Sequence, residues 1–154
     1  MNLKILLPAS VERRKRWVEE IQAISENFGS DITGLTNRLS EEIKTEGSSA
    51  LLDHLRLCGA IPEAYGHDST QEKLYSKYTD TILAFAFSAI GFSSEVLVGR
   101  ADSADVEFAC TEFSFIADAK AFRLSRTAKN QKDFKVSAMS NWKQGNPHAI
   151  VILS

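Results

Sequence analysis

The stretch "ADVEFACTEFSFIADAKAF", residues 104–122, decides what kind of fold this 154-residue chain builds. Apolar and polar residues alternate on both sides of Thr111 and Glu112, as in two half-buried strands joined by a tight turn. With those two residues as the turn, antiparallel pairing sets Cys110 against Phe113, Phe108 against Phe115 and Asp105 against Asp118. Directly opposed residues hold their Cβ atoms about 4.5–5.5 Å apart. Two like charges at that spacing repel, so one of them protonates or a cation lies between them. Period 2 also puts Lys120 on the face of Asp118. A slip of one residue would send the two aspartates to opposite faces.

Carboxylates converging at a strand end suit a hard cation such as Mg²⁺, which takes one or two protein carboxylates plus waters and phosphate oxygens. An ammonium beside them can orient an attacking water and stabilise charge on a phosphoryl group. These are the parts of a metal-dependent phosphodiesterase. A D-x-K triplet alone is common, however, and a charged pair at a strand end accounts for the same residues. Spacing by itself leaves both readings open.

The surrounding chain places this hairpin in an α/β, or α+β, order. Upstream, Val11, Val18, Ile21 and Phe28 recur at helical spacing, with Ser10 as a cap and Gly29 as a stop. Ile32, Leu35, Leu39 and Ile43 give a second helix ended near Gly47, and a third, short one covers about 49–57. Gly59, Pro62 and Gly66 then mark a loop. The fourth helix opens on Ser69 and Glu72 in capping-box spacing, runs through Leu74, Tyr78, Ile82, Phe85 and Ala89, and closes at Gly91. After it the period changes to alternation in "EVLVGR" (95–100), in the two hairpin strands and, much later, in "HAIVIL" (148–153). Phe134, Ala138, Met139 and Trp142 line a helix between the hairpin and that last strand. No linker, repeat or low-complexity tract interrupts the chain, so one domain is expected over 1–154, with a helical part at 1–47 and a core at 48–154.

Composition narrows the function classes. The hydrophobic fraction of 44% and charged fraction of 25% are ordinary for a globular protein. A net charge of −2 offers no global basic field. The charge is unevenly placed. Five acids and no base fall between Ala101 and Ala119, namely Asp102, Asp105, Glu107, Glu112 and Asp118. Six bases follow against the single acid Asp133: Lys120, Arg123, Arg126, Lys129, Lys132 and Lys135. Such a strip suits a cation site beside an anionic ligand, and equally two solvated faces of opposite sign. The "RRKR" run at 13–16 reads as the solvated side of the first helix.

Cys58 and Cys110 sit in apolar company and read as reduced core thiols. His54, His67 and His148 have no zinc-ligand spacing. No apolar run is long enough to span a bilayer, and no signal peptide is recognisable at the N-terminus, so a cytoplasmic protein without a membrane partner is expected.

One block goes beyond patterning. "FIADAKAFRLSRTAKNQKDFKVSAMSNW" (115–142) closely resembles the core segment of HindIII-type type II restriction endonucleases. "IPEAYGHDSTQEKLYSK" (61–77) and "GRADSADVEFA" (99–109) fit the same family in the same order. That family belongs to the PD-(D/E)xK nuclease superfamily, so the resemblance implies a restriction-endonuclease-like core, a mixed sheet flanked by helices. It implies Asp105 and Asp118 as metal-binding acids, Lys120 as the catalytic lysine, and Mg²⁺ as the cofactor. It also implies cleavage of duplex DNA by a homodimer at a short palindrome such as AAGCTT, leaving 5′-phosphate and 3′-hydroxyl ends.

Superfamily members often carry a further acid on the helix before the sheet, and Glu72 takes that place here, with the capping box as its rival role. Glu107 shares the parity of Asp105 and is set aside. In the basic block, Arg123, Arg126, Lys129 and Lys132 suit phosphate contacts. Asn130 and Asp133, like Gln131, carry groups able to read base edges. Members of the family are longer and continue into a helical C-terminal region, so a short or C-terminally truncated member is expected. Two alternatives stand beside cleavage of duplex DNA: a non-catalytic remnant that binds DNA or a partner chain, and a small resolvase-like nuclease of the same superfamily.

Overall fold

A computed structural model describes residues 8–24, 27–97, 104–123, 136–143, 146 and 148–153. Helices α1 (Pro8–Ala23), α2 (Phe28–Glu46) and α3 (Ser48–Leu55) come first. Strand β1 (Ala60–Ile61) leads to the long helix α4 (Thr70–Ala89). Strands β2 (Ser93–Val96), β3 (Val106–Ala109), β4 (Ser114–Lys120) and β5 (Phe122–Arg123) follow. Helix α5 (Val136–Trp142) precedes β6 (His148–Leu153).

The main sheet has the order β2-β3-β4-β6. β2 and β3 run antiparallel, as do β3 and β4, whereas β6 lies parallel to β4. The sheet is therefore mixed, as the resemblance implies. Phe108 pairs with Phe115 and Ala109 with Ser114, and the Cys110 amide donates to the Phe113 carbonyl across Thr111 and Glu112. That is the register expected from the alternation. β5 pairs in parallel with β1, forming a small second sheet at the foot of the helices.

Each face of the main sheet buries its own set of side chains. Val106, Phe108, Phe115 and Ala117 meet Leu83 and Ala84 of α4, with Ile150 and Ile152 packed alongside. The Phe108 and Phe115 rings stack with centroids 5.0 Å apart, and Phe87 of α4 lies 4.2 Å from Phe108. On the opposite face Ile116 packs with Met139 and Trp142 of α5 and with Ala149 and Val151 of β6. The result is helix, sheet, helix in three layers. The other end of α4 belongs to a helical core in which Trp17, Ile21, Leu35, Leu39, Leu51, Leu74, Tyr75 and Tyr78 are buried.

Several boundaries differ from the sequence expectation, each for a local reason. The first helix ends at Ala23, and the second begins at Phe28 with Gly29 inside its first turn. Asn27 accounts for this by accepting the Ser30 amide at 3.3 Å, while Asp31 accepts the Asn27 amide at 3.0 Å. Ser10 lies within α1 and sends its hydroxyl 2.6 Å to Asp53 of α3. Only half of the "RRKR" run keeps the solvated place expected of it: Lys15 and Arg16 are exposed, whereas Arg13 and Arg14 are half-buried. Arg13 pairs with Glu42 and Glu46, Arg16 with Glu42, and Arg14 donates to the Ala60 carbonyl at 2.6 Å. Gly47 ends α2 at φ +74°, a conformation other side chains rarely adopt. The strand expected at 95–100 lies at 93–96, and 98–100 fall outside the described residues.

Candidate functional site

Strand β4 leaves the apolar interior at Asp118, which is only 3% exposed. Alternation then brings out Lys120 on the same face, and its Nζ lies 2.6 Å from Asp118 Oδ2. Asp105 stands just before β3, opposite Asp118 in the register continued from Val106 and Ala117. Its backbone amide donates to the Ala117 carbonyl at 3.2 Å, and its carbonyl accepts the Leu97 amide at 2.9 Å. Both neighbouring strands thus hold the Asp105 backbone in place. The two aspartates and Lys120 come together.

Helix α4 adds two residues that the sequence reading did not single out. Asp80, 3% exposed, and Lys77 sit about one turn before the contact of Leu83 and Ala84 with the sheet. Lys77 Nζ is 2.9 Å from Asp80 Oδ2 and 3.9 Å from Asp105 Oδ1. Three carboxylates from three elements therefore meet two ammonium groups. A signal for Asp80 did exist: it is an acid three residues after a lysine, in a stretch of α4 otherwise filled by buried Tyr78, Thr79, Thr81 and Ile82. Reading only the apolar stripe passed over it.

The electrostatics mark the cluster as over-supplied with negative charge. Burial, a hydrogen bond with Asp118, and the charges of Asp80 and Asp118 push the Asp105 carboxyl up to about 8. Burial also pushes the Asp80 carboxyl up from its ordinary value, and the Lys77 ammonium works against that shift. A carboxyl that keeps its proton near neutrality beside two further carboxylates is a group a divalent cation would deprotonate. The donors are hard carboxylate oxygens, which fits Mg²⁺ or Mn²⁺ and not a soft metal.

Glu72 is placed elsewhere. It lies eight residues before Asp80 on α4, about 12 Å along the axis at the helical rise. Its Oε1 accepts from Arg123 Nε and from a terminal Arg123 nitrogen, each at 3.2 Å, and its Oε2 accepts the Asp68 amide at 2.6 Å. Ser69 caps the helix by accepting the Glu72 amide at 3.2 Å. Arg123 also donates to the carbonyls of Pro62, Glu63 and Gly66 at 3.4, 3.4 and 3.2 Å. Its guanidinium is thus engaged by the 62–66 loop and α4. Glu107 lies opposite Glu95 on β2 and accepts a hydrogen bond from Asn146 at 3.1 Å. Arg126, Lys129, Asn130, Lys132 and Asp133 lie outside the described residues.

No described helix is long and apolar enough to cross a membrane. The sequence pattern that defines the HindIII restriction endonuclease family matches residues 14–154. Over 141 residues the chain is 40% identical to the type II restriction enzyme HindIII of Haemophilus influenzae, an alignment that covers 90% of this chain and 47% of that enzyme. The chain therefore spans about half the length of the relative it matches.

Proposed function

The chain belongs to the HindIII restriction endonuclease family, and we propose that it is a Mg²⁺-dependent endodeoxyribonuclease whose site is Asp105, Asp118 and Lys120, with Asp80 beside them. The observation that carries this reading is the meeting of Asp118, Lys120 and Asp105 at one strand end, Asp105 lying opposite Asp118 in the register and Lys120 2.6 Å from Asp118. In this reading Asp105 and Asp118 hold the ion, and Asp80 takes the role of the helix acid first expected of Glu72. When bound, the ion supplies positive charge against the negative charge that builds on the phosphoryl group.

The chain's own residues do the rest. Lys120, steadied by Asp118, directs an ammonium N–H at the attacking water and at the developing charge. Water oxygen bonds to phosphorus and gives up a proton to solvent, the bond to the 3′ oxygen breaks, and that oxygen takes up a proton, so the products are a 5′-phosphate and a 3′-hydroxyl. The basic block after the site, with Arg126, Lys129 and Lys132, neutralises backbone phosphates, and Asn130 and Asp133 read base edges. Cleavage at both strands of a palindrome, AAGCTT being the sequence to test, requires two copies related by a twofold axis. The reading of the chain as one folding unit is supported by β5, which begins one residue after Lys120 and pairs with β1.

The test uses supercoiled plasmid carrying the palindrome, with Mg²⁺ or with EDTA, beside Asp118→Asn. Discrete fragments that need Mg²⁺ and vanish in the variant support the reading. Intact DNA at enzyme excess rejects cleavage and leaves a chain that only binds DNA or a partner. Cleavage confined to branched DNA points to a resolvase-like substrate.

A further inference from the structure

Lys77 reaches two acids of the site that come from different elements, Asp80 at 2.9 Å and Asp105 at 3.9 Å. It is three residues from Asp80 on α4, yet the pair is no ordinary exposed helix pair, because the Asp80 side chain is 4% exposed. Isolated surface pairs of that spacing are worth little. Asp105, the second acid, arrives from the start of β3. The ammonium thus stands between a carboxylate of α4 and one at the head of β3.

We propose that Lys77 is the internal counter-ion of this site, competing with a divalent cation for Asp80 and Asp105 and so setting how tightly the ion is held. The inference rests on the reading of the aspartates as the ion site. With all groups ionised, Asp80, Asp105 and Asp118 against Lys77 and Lys120 leave a formal charge of −1. An arriving divalent ion meets the Lys77 ammonium next to the oxygens it needs. A lysine suits this place. Its flexible stem and compact charge let it withdraw toward solvent, which its 21% exposure permits. In the metal-free protein the same ammonium offsets the repulsion between α4 and the head of β3. A positioning residue of this kind lowers ion affinity while keeping the acids gathered.

The signature is a gain of binding, which mere loss of packing does not produce. Mn²⁺ is titrated into the whole chain by calorimetry, with wild type, Lys77→Met, Lys77→Gln, Lys77→Arg and Asp118→Asn compared. Removing the ammonium in Lys77→Met is expected to tighten Mn²⁺ binding about tenfold, the scale of losing a like charge some 4–6 Å away. Lys77→Gln keeps a donor without the charge and is expected to do the same, so it carries the test should the Met variant fail to fold. Lys77→Arg restores wild-type affinity. Unchanged or weaker binding in folded Lys77→Met or Lys77→Gln overturns the counter-ion role while leaving the ion site intact. Wild type that takes up no more Mn²⁺ than Asp118→Asn overturns the ion site itself, and the counter-ion role with it.

Discussion

Arg123 donates two hydrogen bonds to one oxygen of Glu72, each at 3.2 Å, so two residues first read as site groups satisfy each other. Their side chains are 15% and 17% exposed, which removes much of the solvent screening that weakens surface pairs. Charge-assisted hydrogen bonds of this sort contribute about 1.5–3 kcal/mol each, and losing one partner strands the other. Arg123→Met is therefore expected to lower stability by about 2–3 kcal/mol. Urea titration followed by circular dichroism measures this. Loss of DNA affinity at unchanged stability would instead make Arg123 a phosphate contact.

Asp80 and Glu72 separate cleanly by mutation. Asp80→Asn removes a charge beside the two other aspartates and is expected to lower the cleavage rate about 10–100-fold, the usual range for groups that support a metal site. Glu72→Gln is expected to lower the melting temperature and leave the rate per folded molecule unchanged. Single-turnover plasmid cleavage, normalised to folded protein, reads both.

The buried imidazole of His54 makes stability pH-dependent. Burial brings its pKa down from 6.5 to about 4, the Glu42 charge opposing and the Arg13 and Arg16 charges assisting. Its Nδ1 lies 2.6 Å from the Tyr78 hydroxyl. Between those pH values the unfolded chain binds a proton that the folded chain refuses, so stability falls as pH drops from about 6.5 to 4. Asp105 acts in the opposite sense in the metal-free protein. It keeps a proton up to about pH 8 that the unfolded chain releases near 3.8, so its share fades as pH rises through that range. Comparing melting temperatures of wild type and His54→Gln at pH 5 and pH 7 isolates the imidazole. The variant is expected to lose less on acidification.

Phe108 anchors the hairpin to α4. It is fully buried, stacked on Phe115 and in contact with Phe87. Phe108→Ala is expected to cost about 3–5 kcal/mol, read as a fall in the urea midpoint. Since β3 carries Asp105 at its head, residual folded protein is also expected to bind Mn²⁺ more weakly.

The hairpin register was legible because it depends on local alternation and a turn: Cys110 to Phe113 and Phe108 to Phe115 pair as expected. Asp118, Lys120 and Asp105 were legible for the same reason. Asp80 showed only as an acid in an otherwise core-forming stretch; that it and Lys77 join the site was not legible, because they do so through the docking of α4 on the sheet, a contact that helical periodicity does not encode. Glu72 illustrates the converse. Its capping-box position was readable, but its partner Arg123 lies 51 residues away, and only the folded chain shows which charge it meets. β1 and β5, of two residues each, were too short for any period to reveal.

Strand β4 ends at Lys120, but the backbone does not turn away there. Through Ala121 it runs on into β5, where the Phe122 amide donates to the Gly59 carbonyl at 2.8 Å and Phe122 pairs with Ala60. One stretch of backbone is thus stitched into the main sheet at one end and into the base of the helices at the other, with Lys120 in the middle. Such a strut makes the lysine a gauge of the integrity of both halves. Loosening either the helices or the sheet slackens the segment that aims the ammonium. In hydrogen–deuterium exchange the amides of Asp105 and Phe122, bonded in different sheets, are expected to open together.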